Sequence, residues 1–268
     1  MIFYKLIKQA LKAKRTLWVT YSAIGLGFLM LYVAVWPSIQ SQSADYSKIF
    51  SSLPKGLILA LNISNETPTL MGYLSSKHFG LIWLFMIAML VVAYGSFVIA
   101  KEVETRTMGF LLSQPINRLK LYWARFGAGA IILARFVVLS EIVVWPIAKI
   151  YNYSIGGTGV LLVGVAGFLF GLSILGLSFT ISAMSSSAGR VSAWSGAVLL
   201  AMYAIYIVSS LVDSLDKLKY LSLFHYIAPG DIVTNNSIAL SSIIVFVVFS
   251  VVTATIGAVI FQKRQVQV

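Results

Sequence analysis

The chain has 268 residues, of which 59% are hydrophobic and only 10% charged, whereas soluble domains carry about a quarter charged residues; composition therefore excludes a water-soluble fold and leaves an integral membrane protein. The net charge of +12 lies mostly beside apolar stretches, where basic side chains fix orientation and meet anionic headgroups, so the expected partner is the lipid bilayer and no nucleic acid. The absence of cysteine excludes thiolate catalysis, disulfides and Cys-based zinc sites.

Residues 2–18 read as an amphipathic helix. Ile2, Phe3, Leu6, Ile7, Leu11 and Trp18 recur at helical spacing with Lys5, Lys8, Lys12 and Arg15 between them. Such a helix lies in the membrane interface with its lysines among the headgroups. A bilayer core of about 30 Å needs about 20 apolar helical residues. Six segments meet that length: 17–36, 80–100, 122–148, 155–184, 191–212 and 238–261. They are too long and too uniformly apolar for barrel strands, which alternate polar with apolar residues. The expected fold is thus all-α, one polytopic transmembrane domain over 1–268 with six transmembrane helices.

Basic residues set the orientation. Twelve flank one side of the spans, at Lys5, Lys8, Lys12, Lys14, Arg15, Lys101, Arg106, Arg118, Lys120, Arg190, Lys263 and Arg264; six lie on the other. The positive-inside rule places both termini in the cytoplasm.

Outside, Ile49, Phe50, Leu53, Leu57, Ile58 and Leu61 form a second apolar stripe, broken by Pro54. Leu221 to Ile227 is expected to form a short interfacial helix ending at Pro229-Gly230, because Pro and Gly punctuate helices. His78 and His225 are both expected outside the spans, and two isolated histidines do not suggest a metal site.

The third segment holds three ionisable residues, Arg125, Arg135 and Glu141. Arg125, near the cytoplasmic end, is expected to snorkel. Arg135 and Glu141 are six residues apart and do not share a helix face. A charge inside the membrane is costly, so each is expected to pair on another span or on a second subunit. In the fourth segment, Gly167 and Gly171 form a small-xxx-small pair that permits close helix approach.

The most informative stretch follows the second segment: KEVETRTMGFLLSQPINR, 101–118. Glu102, Glu104 and Arg106 alternate with uncharged residues; Met108, Phe110, Leu111 and Leu112 supply apolar bulk; Pro115 stops the helix. A short helix of this kind can fill a groove on a second protein. The pattern resembles the membrane subunits of ABC-2 type transporters, whose usual form is Lys-Glu, an acidic residue, Gly-Thr, Leu-Leu, Ser, Pro-Ile-Ser-Arg. Lys101, Glu102, Glu104, Thr107, Leu111, Leu112, Ser113, Pro115, Ile116 and Arg118 match it; Arg106 stands where Gly is usual and Asn117 where Ser is usual. Ser52-Leu53-Pro54 and Phe224-His225-Tyr226 with Asp231-Ile232 are similar to further family segments.

The resemblance implies a permease of the cell membrane, two of which, as homo- or heterodimer, form the substrate pathway, with export as the family tendency. It implies that a separate cytoplasmic ATP-binding subunit docks on the coupling helix through Glu102, Glu104, Thr107, Phe110, Leu111, Leu112, Pro115 and Arg118. The chain lacks a G-x-x-x-x-G-K-[ST] loop, so ATP would be bound by the partner, and no cofactor of its own is expected. An ATP-independent secondary carrier is the alternative; inverted repeats and broken mid-membrane helices, its usual signs, are not evident. An intramembrane enzyme is disfavoured: no H-E-x-x-H, no G-x-S-x-G and no pair of intramembrane aspartates is present, so no catalytic or metal-ligating residues are expected.

Overall fold

A computed structural model describes residues 2–41, 69–108, 117–150 and 157–264. The external stripe over 49–61, the apolar centre Phe110, Leu111 and Leu112, and Pro115 lie outside these residues. Every regular element among the described residues is helical. Helix α1 is Ile2–Ala13 and α2, the first span, is Arg15–Ser41. The second span, α3, runs from Leu70 to Glu104, the third, α4, is Arg118–Ile150, and the fourth, α5, is Gly157–Met184. The fifth, α6, is Ala188–Leu211; after two 3₁₀ segments comes the short α7, Pro229–Asn235, and then the sixth span, α8, Leu240–Lys263. Six helices are therefore long and apolar enough to cross a membrane.

Helix α5 is the hub. It packs against α3, α4, α6, α7 and α8, while α2 packs on α3 and α4, and α1 on α4. Small residues make the hub possible. A methyl group at Gly167 would lie 2.2 Å from the Trp83 ring of α3, and one at Gly176 would lie 3.0 Å from the Ser250 carbonyl of α8. The α5–α8 seam is also stitched by hydroxyls: Ser173 Oγ donates to the Phe246 carbonyl at 3.0 Å, Ser250 Oγ to Leu172 at 3.2 Å, and Thr180 Oγ1 to Thr253 at 2.5 Å. Such bonds average only about 0.6 kcal/mol each in membranes.

Three expectations change. Span two begins at Leu70, not near Gly80, and His78 is buried inside it, 4.9 Å from the Phe79 ring centroid and 5.9 Å from that of Tyr32. Thr69 caps its start, its hydroxyl accepting the Gly72 N–H. Pro229 begins a helix instead of ending one, since a proline at N1 forgoes an N–H that would be unpaired anyway. Glu141 is buried against Gly164 of α5, and neither carboxyl oxygen has a hydrogen-bond partner among the described residues. Among the described residues no other span supplies its expected partner, because a stretch of α5 bearing only Gly and apolar side chains faces it; the expectation that remains is a partner on a second subunit.

Candidate functional site

Both segments that flank the span two–span three connection are tied into the bundle, and each tie begins with a local feature of the sequence. The last turns of α3 wind as a π-helix over Ser96–Ala100 and return to α-helix at Lys101. Single π-turns inside α-helices cluster at functional sites. Here the Ala100 N–H donates to Ser182 Oγ of α5 at 3.1 Å, and the Val98 carbonyl accepts from Arg125 Nη1 of α4. Arg125 does not snorkel. It is buried, its Nη2 donates to Glu102 Oε1 at 2.6 Å, and its Nη1 is in ion-pair contact with Glu102 Oε2. Its own carbonyl accepts from the Tyr94 hydroxyl at 2.8 Å. A guanidinium so bound has a neighbouring charge and carbonyl to offset the loss of water, which removes the need to reach for the headgroups.

Lys14, at the turn between α1 and α2, completes the cluster. Its Nζ lies 4.4 Å from the Phe97 ring centroid. Burial holds its ammonium below the ordinary value, against the pull of Glu102 and with the push of Arg125. A cavity of about 250 Å³ separates α1 from these groups, lined by Leu6, Ala10, Phe97, Glu102 and Arg125 among others. The N-terminal helix thus packs on α4 beside the end of α3.

Glu104 is exposed and reaches the next span. Its Oε2 accepts the Ala188 N–H at the first turn of α6, at 3.1 Å, and lies 3.6 Å from Lys101 Nζ. Thr105 Oγ1 donates to the Lys101 carbonyl at 2.9 Å and Thr107 Oγ1 to the Glu102 carbonyl at 3.3 Å, so two hydroxyls cap the C-terminal carbonyls of α3. Arg106 takes φ 58°. This left-handed conformation favours glycine, and here arginine adopts it.

On the return side, Arg118 Nη1 donates to the Arg264 carbonyl at 2.5 Å, just past the end of α8. Arg264 Nη1 in turn donates to the Ala183 and Ser185 carbonyls at 2.9 and 2.8 Å, at the C-terminus of α5. A cation there also meets the negative end of the helix dipole. Arg118 is thereby linked through one residue to both α8 and α5.

Of the sequence-derived site residues, the structure brings Glu102, Glu104, Thr107 and Arg118 to one end of the bundle. Arg135 lies elsewhere, exposed on α4, with its guanidinium 5.7 Å from the Trp18 ring centroid of α2. Among the described residues it finds a ring on another span and not a carboxylate. Glu141 lies farther along the same helix.

The sequence of residues 2–266 matches the profile of the ABC-2 family transporter proteins. The chain belongs to that family. No curated protein and no solved structure matches it. As a member of the ABC-2 family it is a multi-pass membrane permease of an ABC transporter. Arg125 and Arg264, neither of them among the residues expected at this candidate site, join its cluster in the ABC-2 permease. The signal for Arg125 was a stripe, Arg118, Tyr122 and Arg125, spaced four and three residues apart on one face of α4. All three turn inward: the Tyr122 hydroxyl donates to the Ala254 carbonyl of α8 at 2.9 Å.

Proposed function

We propose that residues 102–118 form the coupling element on which a separate, cytoplasmic ATP-binding subunit docks, and that two permease subunits, identical or homologous, enclose the substrate pathway. Both termini then face the cytoplasm of a cell membrane, a placement that the basic asymmetry supports. Export is the direction we assign. ATP is bound and hydrolysed by the partner, and this chain supplies the path.

The observation that carries this reading is the set of ties on both flanks of the segment. Glu102 is bound to α4, Glu104 to α6, and Arg118 to α8 and through Arg264 to α5. A push on the segment is therefore delivered to four spans besides α3, by charge-assisted hydrogen bonds, among the stronger of their kind. A solvated loop would need no such ties. We assign the anchors of the docked interface to the apolar Phe110, Leu111 and Leu112, since buried anchors dominate interface energies and rim charges contribute less. Phe110→Ala should weaken co-purification with the ATP-binding subunit more than Glu104→Ala, while both lower substrate-stimulated ATPase activity. Full association and full stimulation in both variants would refute the assignment.

A further inference from the structure

A second cavity opens at the opposite end of the bundle, with a volume of about 420 Å³, between the first turns of α3, the later turns of α6 and the segment leading into α7. Clefts that hold small ligands span about 300–1,000 Å³. The wall is aromatic on one side. The rings of Tyr203 and Phe224 meet edge to face at 5.1 Å, Tyr203 and Tyr206 lie 6.4 Å apart, and Phe85 braces Tyr203 from behind at 5.1 Å. Phe224 is buried, so the wall is held from within.

The charge pattern is one-sided. Among the described residues lining the cavity there is no lysine or arginine; the one formal charge is Asp231, in the first turn of α7. For His225, also on the lining, burial and then Lys219 push the imidazole below its ordinary value, against the pull of Asp216. Lys219 itself is paired with Asp216 at 2.7 Å. The start of α3 brings a partial positive charge to this end, about half a unit. Thr69 already accepts one of its free N–H groups, and the remainder does not outweigh a full carboxylate.

Ring faces carry a negative quadrupole and attract cations, most strongly where water is excluded. An anion would meet both those faces and Asp231. The geometry points to a binding site for an organic cation, an amphipathic amine or quaternary ammonium, its charged head between Asp231 and the tyrosine rings and its apolar part against Leu84 and Phe224. As a statement about substrate class it rests on the permease reading. Binding itself is a property of this chain alone.

The test uses the full chain in lipid nanodiscs without any ATP-binding subunit. Equilibrium dialysis measures benzyltrimethylammonium, with benzenesulfonate as an anion of similar size and benzyl alcohol as a neutral probe. The cation should bind saturably and the other two should not. Asp231→Asn should weaken it about tenfold, and Tyr206→Leu about threefold or more. Asp231→Glu should retain it. Asp231 is exposed on a short helix, so the two Asp231 variants do not disturb packing. Equal binding of benzenesulfonate, or wild-type affinity in Asp231→Asn, would overturn the inference. No saturable cation binding here, with coupling intact in the separate co-purification and ATPase assay, refutes this site alone; saturable cation binding here, with no association in that assay, supports the site and refutes the permease coupling.

Discussion

Arg125→Met removes the centre of the tie between α3 and α4 while keeping a long apolar side chain. In the native protein the guanidinium is buried and holds both Glu102 and the Val98 carbonyl. The substitution leaves the carboxylate with Lys14 as its neighbouring cation and takes a donor from the Val98 carbonyl. Breaking one side of a buried pair costs about 3–5 kcal/mol. The Glu102 side chain is 27% exposed, so water recovers part of this, and the expected loss is near the lower end, about 3 kcal/mol. Replacing both residues by methionine removes both charges together. Apolar replacement of a whole buried pair is often close to neutral, so the double variant should lie within about 1 kcal/mol of wild type, giving a coupling energy of about 2 kcal/mol or more. Reversible unfolding in detergent with increasing SDS, on wild type, both single variants and the double, reads all four corners of the cycle. A loss under about 0.5 kcal/mol for Arg125→Met, or a double variant equal to the sum of the singles, would refute the tie.

Arg106→Gly should raise stability by about 1 kcal/mol, because a non-glycine residue in the left-handed region costs about that much; the same unfolding assay reads it, and a decrease would show that the arginine side chain compensates. Gly167→Ala should destabilise by about 1–3 kcal/mol through overpacking, since the added methyl would lie 2.2 Å from the Trp83 ring. Trp83→Leu should then partly restore the Gly167→Ala protein, and an additive second loss would contradict the contact.

The six spans were legible because length and hydropathy alone suffice where lipid is the solvent. The start of span two was not, because Lys77 and His78 interrupt the apolar run; a window of hydropathy cannot know that His78 packs among Phe79 and Tyr32. The left-handed turn at Arg106 was half legible, as the residue stands where the resembling family has glycine. Arg125 was misread because snorkelling is the default for a basic residue near a span end, and only the three-dimensional position of Val98 and Glu102 reverses that. The link from Arg118 through Arg264 to α5 joins residues far apart in the chain, which no periodicity reports. For Glu141, intramembrane charge suggests a partner on another span or on a second subunit; within the chain Gly164 faces it, which leaves the second subunit.

The most direct measurement places a single cysteine in this naturally cysteine-free chain at Phe110, or at Ile39 near the far end of span one, and attaches a short photo-crosslinker in intact cells that also make the ATP-binding subunit. Phe110→Cys should yield a covalent adduct with that subunit, and Ile39→Cys should yield none. An adduct from position 39, or none from position 110 in a complex that still co-purifies, would contradict docking of an ATP-binding subunit on residues 102–118.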